Sequence, residues 1–513
     1  MILVINLGLK SIRAIVFDDQ GQRLASAFES VNTYIHGHKV EQNALEWRIG
    51  LLKVIKEVVS TSNLQNSITN ITVSCSASCL VPINKDIEPV GKVIMVSDRR
   101  AKQQSVSISN SQGFKDLNSK KLLKVNEYSQ LSRILWIKEN APEQHQKTWK
   151  YLSPNDYIIA LLTGGTIVTD NLNAEKFFYD NNAKDYPADL YNDLGVSIEM
   201  LPRCFEIGSI VGPIHKRLAF ELGINNEPEI ILGTYDAICS VFGTGVSAQG
   251  SVCDVSGTVT SVRMYSNVPV IDDQERINLQ YFKPSNGYFL GGSNNLGGGL
   301  IEWAKICFYK DSLNPYELME TEVSSIDLLG DNYTGLIFLP NLLGARAPSW
   351  DSHSRGMFFG LERHHNRGDM MKAIFESIAF SVRDFIEIFT ELGATPNLVT
   401  ASGGLSQIKV ANEIKATITG LPYHLMDEIE STALGAAIIV MCSLKHFENY
   451  HEACKKIVVT KQIFLPKESD KSYYEDMYVL YKDLTELVKP KFKMQRELLS
   501  KHKKSSFQYV GNL

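Results

Sequence analysis

The sequence predicts an α/β protein built from two similar domains. Three observations lead there. At 513 residues the chain is too long for a single hydrophobic core. Short β-branched and apolar runs alternate with stretches of helical spacing. A strand, a glycine turn and a second strand occur twice, over Met1 to Asp18 around Gly8 and over Val252 to Tyr265 around Ser256-Gly257-Thr258. Ser11-Ile12-Arg13 follows the first turn and Ser261-Val262-Arg263 the second, with spacing that differs by one residue. Two related domains that each aim a glycine turn at a shared cleft would bind a small ligand there.

In chain order, the first hairpin turns over Asn6 to Ser11 and ends at Asp18-Asp19-Gln20-Gly21. Glu41 to Ser60 carries Leu45, Ile49, Leu52, Ile55 and Val59 at helical spacing. Ile71 to Ser74 and Val93 to Val96 are strands. Ser97-Asp98-Arg99-Arg100 follows, either a substrate contact or a solvated helix start capped by Asp98. Leu122 to Asn140 reads as a helix with Trp136 in the core. Ile230 to Leu232 is a short buried strand, and Ala237 to Phe242 a short helix. Tyr288 to Leu290 runs as a strand into Gly291-Gly292, and the glycine-rich run Asn294 to Gly299 leads into a helix with Leu300, Trp303 and Ala304. Ile337 to Pro340 is a strand. Met371 to Leu392 is the clearest helix, with Gly393 placed to end it. Leu398 to Ala401, Ser402-Gly403-Gly404 and Gln407 to Thr417 form strand, turn and helix. Ala433 to Ala437 opens a helix of small residues, and lysine-rich Lys489 to Lys504 reads as a solvated helix.

Composition narrows the classes. Hydrophobic residues make up 44% and charged residues 21%, the balance of an ordinary globular protein. A net charge of −5 offers no field to draw nucleic acid. No apolar run approaches the length of a membrane span, so no membrane partner is expected. Met1 to Ile5 lacks the basic residues and small-residue cleavage site of a signal peptide, and reads as a first strand. Of the eight scattered cysteines, Cys75 and Cys79 are close but have no second pair or histidine partner, so free thiols in a reducing cytoplasm are expected.

The stretch from Ile230 to Val262 carries the strongest chemical pattern. Gly233 lets the backbone turn after a buried strand, and Asp236 follows at the mouth of a helix. A carboxylate there can take a proton from a bound hydroxyl. Gly257-Thr258 lies in a tight turn whose backbone N–H groups can hold a phosphate. The plainer reading is an N-cap and an ordinary hairpin glycine. The Gly8 turn is a second candidate phosphate loop, and the strand–double-glycine–helix at Gly403-Gly404 has the geometry that brings bare backbone up to a nucleotide.

Together these landmarks resemble the FGGY carbohydrate kinases, the family of xylulokinase, gluconokinase and glycerol kinase. Val40-Glu41-Gln42 with Trp47 is similar to the family's EQ…W stretch, and Asp98-Arg99-Arg100-Ala101 to its D-x-R-A stretch. Leu135 to Asn140, Asp156-Tyr157, Leu162-Thr163-Gly164, Thr169-Asp170, Phe338-Leu339-Pro340, Gly344, Arg346-Ala347-Pro348, Arg355-Gly356, Ser402-Gly403-Gly404 and Ala433 to Ala437 continue the match in order as far as about Ser443. The resemblance implies an α/β fold of two actin-like, ribonuclease H-like domains with an interdomain ATP and sugar cleft. It divides the chain into 1–245 (sugar and first phosphate hairpin), 246–460 (nucleotide) and a basic helical tail, 461–513.

By the same resemblance Asp236 is the catalytic base, and Ser76, Ala77, Ser78, Asp98 and Arg99 line the sugar. ATP meets Gly8, Lys10, Ser11 and Arg13 on one hairpin and Gly257 and Thr258 on the other, while Gly298, Glu302, Gly403 and Gly404 surround the adenosine. Mg²⁺ sits near Asn6 and Asp236. The implied activity is transfer of the γ-phosphate of ATP to a hydroxyl of a small sugar, a pentulose such as xylulose or ribulose or a related polyol or sugar acid, by a cytoplasmic enzyme of a family in which homodimers are common. Three departures stand out. The family's first hairpin reads Asp-x-Gly-Thr where this chain has Asn6-Leu7-Gly8-Leu9. Ser76-Ala77-Ser78-Cys79 replaces the Gln-Met-His-Gly run of xylulokinases. Thr417 replaces a helix Asp. They define the rival expectation, a catalytically weakened relative that binds nucleotide or sugar as a regulator.

Overall fold

The computed structural model describes residues 1–61, 63–118, 125–295, 297–326 and 333–502. These fall into two units, Met1–Phe242 with Thr432–Ala453, and Gly243–Ser431 with 454–502.

The first unit is organised on a six-stranded sheet. Its order is Ile210–Pro213, Glu229–Ile231, Asn70–Cys75, Ile2–Leu7, Ser11–Phe17, Arg23–Ser30. Every residue of Ile2–Leu7 is buried, as a central strand covered on both faces requires. It pairs antiparallel with Ser11–Phe17 and parallel with Asn70–Cys75. The helix Ala44–Thr61 covers this sheet with Trp47, Leu51, Val54, Ile55 and Val58. Gly50 lets it approach closely, since a Cβ there would lie 2.9 Å from Ile12 Cγ2.

The expected apolar stripe of this helix was partly out of phase. Leu45 and Ile49 are 45% and 67% exposed, because apolar residues occupy more than one face and the wider one, through Trp47 and Leu51, wins the core. Glu41 and Gln42 belong to the strand Lys39–Gln42. The helix expected from Leu122 begins at Gln130; residues 122–124 lie outside the described ones. Trp136 is only half-buried, lying beneath Arg100 and Lys39, 4.9 Å and 5.2 Å from its ring centroid.

The second unit repeats the plan in seven strands, ordered Asn278–Phe282, Gly287–Ser293, Thr260–Ser266, Ser251–Ser256, Leu398–Ser402, Tyr423–Met426, Thr460–Phe464. Again a hairpin strand pairs antiparallel with its successor and parallel with a strand reached through a long helix. Again that strand has a further parallel neighbour and then an antiparallel edge. The two turns also differ by one residue, but in the sense opposite to the sequence spacing, which is three residues from Gly8 to Ser11 and four from Gly257 to Ser261. The closing pair Leu7 and Ile12 encloses four residues, and Ser256 and Thr260 enclose three.

The long helix Arg367–Glu391 starts at an Asn366–Asp369 capping box and stops before Gly393, whose φ is +85°. The C-terminal helix Lys471–His502 is solvated only in its later part. Earlier, Tyr474, Met477, Tyr478, Tyr481 and Leu484 pack into the unit's core. Among the described residues no helix is long and apolar enough to cross a membrane. All eight cysteines are free thiols.

Candidate active site

Asp236 opens the helix Asp236–Gly243 in the first unit. The loop before it lies hard against the strand Asn70–Cys75: a Cβ on Gly233 would be 2.5 Å from the Val73 carbonyl oxygen, so only glycine fits. Asn155 rivets the two together. Its Nδ2 donates to Val73 O (3.1 Å) and Thr234 O (3.2 Å), and its Oδ1 accepts from Cys75 N (3.0 Å). Asp170 accepts from Thr234 Oγ1 at 2.9 Å and also caps the next helix through Leu172 N and Asn173 N. The result is a contact between segments 160 residues apart: Ser76 Oγ donates to Asp236 Oδ2 at 3.0 Å. The other carboxylate oxygen accepts from Ala237 N at 2.7 Å. Asp236 itself stays partly open to solvent.

The segment Ser76-Ala77-Ser78 is held from below. Ser76 N donates to Leu7 O (3.0 Å), which ties it to the first hairpin. Ser78 has φ +59°, and its carbonyl accepts from Arg133 Nη1, while Arg133 Nη2 donates to Val96 O at 3.0 Å. Arg133 is fully buried, and that burial lowers its pKa to about 10, so it remains charged near neutrality. Burial also raises the Asp156 carboxyl to about 8 and holds Asp170 above its ordinary value.

The structure does not bring every expected residue to the sugar loop in the same way. Asp98 is fully buried and its carboxylate is committed: it accepts from Val40 N (2.7 Å), Arg100 N (2.9 Å) and Arg100 Nε (2.9 Å). Arg100 continues to Glu41 at 2.6 Å. The run 97–100 is therefore no solvated helix start; Asp98 is a brace. Arg99 is half-buried, with its N–H on His38 O at 3.0 Å.

At the first hairpin, Gly8 N donates to Ser11 O at 2.9 Å. Asn6 is buried, and its Oδ1 has no hydrogen-bond partner. Lys10 is exposed; Ser11 and Arg13 are partly buried. A relay from the covering helix sets the turn. Trp47 Nε1 donates to Gln42 Oε1 (2.9 Å), and Gln42 Nε2 donates to Leu9 O (2.8 Å) and Thr33 Oγ1 (2.9 Å). The sequence marked Gln42 and Trp47 only as landmarks, without this role.

In the second unit Gly257 O accepts from Gly298 N (2.7 Å), and Thr258 O accepts from Gly297 N and Gly299 N (3.0 and 3.1 Å). The helix Gly298–Phe308 thus starts on the hairpin's carbonyls. Gly298 is needed there because a Cβ would lie 2.6 Å from Gly257 O. Glu302, on the same helix, pairs with Lys305 at 2.5 Å and accepts from Tyr316 OH. Gly403 has φ +90° and sits so close to the hairpin that a Cβ would be 2.7 Å from Ser256 O.

Three glycines differ from these. A Cβ on Gly257 or Gly404 would meet nothing within 4 Å, one on Gly8 would meet only Ser11 O at 3.7 Å, and none has a positive φ. Neither backbone angle nor packing demands glycine at these three positions, which leaves bare backbone with open space beside it. Among the described residues no group of three His, Cys, Asp or Glu side chains could hold a metal alone, so a divalent ion here would take most of its oxygens from ligand and water.

Models of the FGGY family of carbohydrate kinases match the chain, the N-terminal domain over residues 1–243 and the C-terminal domain over 255–444. The xylulose kinase of Bacillus subtilis (strain 168) is 25% identical over 94% of this chain and 96% of its own length. The gluconokinase of the same organism is 21% identical, covering 96% of each. The crystal structure of gluconate kinase from Lactobacillus acidophilus superposes with a TM-score of 0.85 at 23% identity, over 96% of this chain and 99% of that one.

Proposed function

Because the chain belongs to the FGGY family of carbohydrate kinases, and is an ATP-dependent sugar kinase, we propose that Asp236 is its catalytic base and that its substrate is a pentulose or a related polyol or sugar acid. The observation that carries the assignment is the 3.0 Å contact between Ser76 Oγ and Asp236 Oδ2, which joins the proposed sugar loop to a carboxylate at the mouth of a helix. Asp236 takes the proton of the sugar hydroxyl as that oxygen attacks the γ-phosphorus; the O–P bond to ADP breaks as the new one forms. Ser76 holds the carboxylate in place for that transfer. Gly257-Thr258 and the Gly8 turn, with Lys10, Ser11 and Arg13, receive the phosphates; Gly298, Glu302, Gly403 and Gly404 receive the adenosine.

Mg²⁺ fits the first hairpin. The buried, unpartnered Asn6 Oδ1 is an acceptor suited to a water of the hydrated ion, and Asp236 offers a second oxygen. When bound, the ion neutralises charge on the phosphate oxygens. Asn6 would hold a water of the ion with one negative charge fewer than the family's Asp, so binding would depend more on the nucleotide's own oxygens.

The sugar loop supports this choice of substrate class. Ser76, Ala77 and Ser78 carry shorter side chains than the Gln-Met-His run of xylulokinases, and Ser78 offers a hydroxyl while that of Ser76 is held by Asp236. The test is a coupled ATP-consumption screen over pentuloses, hexuloses, polyols and sugar acids. At least one should be turned over, and Asp236→Ala should then lose turnover by orders of magnitude while still binding that sugar. If no sugar is turned over but ATP or a sugar raises the melting temperature, the regulator reading, favoured by Asn6 and Leu9, replaces this one.

A further inference from the structure

We propose that Lys415 is a positioning residue for the nucleotide: from beneath the second hairpin it holds the turn that receives the phosphates of ATP. The proposal rests on the reading of Gly257-Thr258 as a phosphate cradle. Lys415 lies on the helix Lys409–Thr419 and is 2% exposed. Its Nζ donates to Asp254 Oδ2 at 2.6 Å and to Ser256 Oγ at 3.0 Å. Tyr423 OH donates to the same Asp254 oxygen at 3.1 Å. Ser256 Oγ donates to Asp254 Oδ1 at 2.7 Å and lies 3.1 Å from Thr260 Oγ1. With the Ser256 proton committed to Asp254, Thr260 is the donor in that last contact.

Ser256 and Thr260 are the two residues that close the hairpin turn. The ammonium therefore anchors one stem directly and the other through one hydroxyl, immediately below Gly257 and Thr258. A fully buried ion pair is an expensive way to fill a core; apolar side chains of similar volume do as well or better. What the pair adds is direction, because four fixed hydrogen bonds locate the base of the turn where apolar contacts would let it slide.

The same helix braces the second turn. Asn412 Nδ2 donates to Ser406 O at 2.7 Å, and Ser406 Oγ donates to Gly403 O at 2.7 Å. Gly403 in turn packs on Ser256, so one helix sets the spacing between both glycine turns of this unit. The Lys–Asp pair is neutral, so its effect is geometric: it should act on the nucleotide and spare the sugar.

The decisive variant is the apolar pair Asp254→Leu with Lys415→Met. ADP affinity is measured by calorimetry on the full chain, KM for ATP and for sugar by the coupled assay, and Tm without ligand. The expected result is a modestly lowered Tm, because the buried Tyr423 and Ser256 hydroxyls lose their acceptor, with ADP affinity reduced and KM for ATP raised tenfold or more, and a sugar KM within twofold of wild type. A merely structural pair would leave the nucleotide constants alone. Wild-type ADP affinity in the double variant overturns the proposal. Should that variant not fold, Ser256→Ala decides, with a loss of about threefold or more in ADP affinity expected and wild-type affinity overturning it. If the wild-type chain itself binds no ADP, the phosphate-cradle reading fails, and this proposal falls with it.

Discussion

Replacing Gly257 by alanine should leave the free protein intact and damage its handling of ATP, whereas the same change at Gly403 should damage the free protein. At Gly257 the φ is not positive and an added Cβ meets nothing within 4 Å. Alanine there only narrows the unfolded ensemble, worth about 0.4–1 kcal/mol in favour of folding. At Gly403 the backbone has φ 90° and ψ 175°, a region that only glycine occupies readily. Alanine there costs about 1–3 kcal/mol in backbone strain alone. The Cβ would also lie 2.7 Å from Ser256 O, a backbone atom that cannot swing aside. The two variants should therefore differ by roughly 1–4 kcal/mol in unfolding free energy, in opposite directions from wild type. Denaturant unfolding of the ligand-free proteins measures this. Kinetics supplies the other half: with a methyl group where phosphate oxygens approach, KM for ATP should rise at least tenfold in Gly257→Ala, about 1.4 kcal/mol of binding. A Gly257→Ala protein as unstable as Gly403→Ala, or one with both wild-type stability and wild-type KM for ATP, would refute a phosphate role for this glycine.

Trp47→Phe removes the Nε1–H that Gln42 Oε1 accepts and leaves a buried acceptor unpaired, a loss of about 1–3 kcal/mol; KM for ATP should rise while KM for sugar holds, and unchanged nucleotide kinetics would refute the relay to Leu9. Burial raises the Asp156 carboxyl to about 8, so between its unfolded value and that pH the folded protein keeps a proton that the unfolded chain has released. Stability therefore falls as pH rises across this window, by up to ~1.4 kcal/mol per unit from this group. Asp156→Asn should flatten the slope of unfolding free energy measured between pH 5 and pH 7.5, and an unaltered slope would exclude Asp156 as its source. Asn6→Asp adds a charge at the buried acceptor of the first hairpin and should lower the Mg²⁺ concentration that gives half-maximal rate; no change, or an increase, would count against Asn6 as the ion's neighbour.

The fold and its internal repeat were legible in the sequence because they rest on local signals. The strand Ile2–Leu7, the helix Arg367–Glu391 and the two glycine hairpins each announce themselves through periodicity, caps or turn residues within a few positions. The family's landmarks lay in order along the chain, and the strand topology of each unit follows the pattern they imply. Where two apolar faces compete within one helix, local periodicity gave the wrong answer, as at Leu45 and Ile49.

What the sequence alone could not determine is which buried polar groups meet. Ser76 and Asp236 are 160 residues apart, Asn155 and Thr234 are 79 apart, and Asp254 and Lys415 are 161 apart. Each pair forms because sheet register and helix packing carry two side chains to one point. The sequence by itself determined that there are two α/β lobes with glycine turns and an acidic residue at a helix mouth. Only the tertiary structure decided that Asp98 is consumed as a brace, that Gln42 steadies the first turn, and that a buried lysine underpins the second. Hydrogen bonds need atoms within about 3 Å and correctly aimed, a condition that folding meets and residue order does not encode.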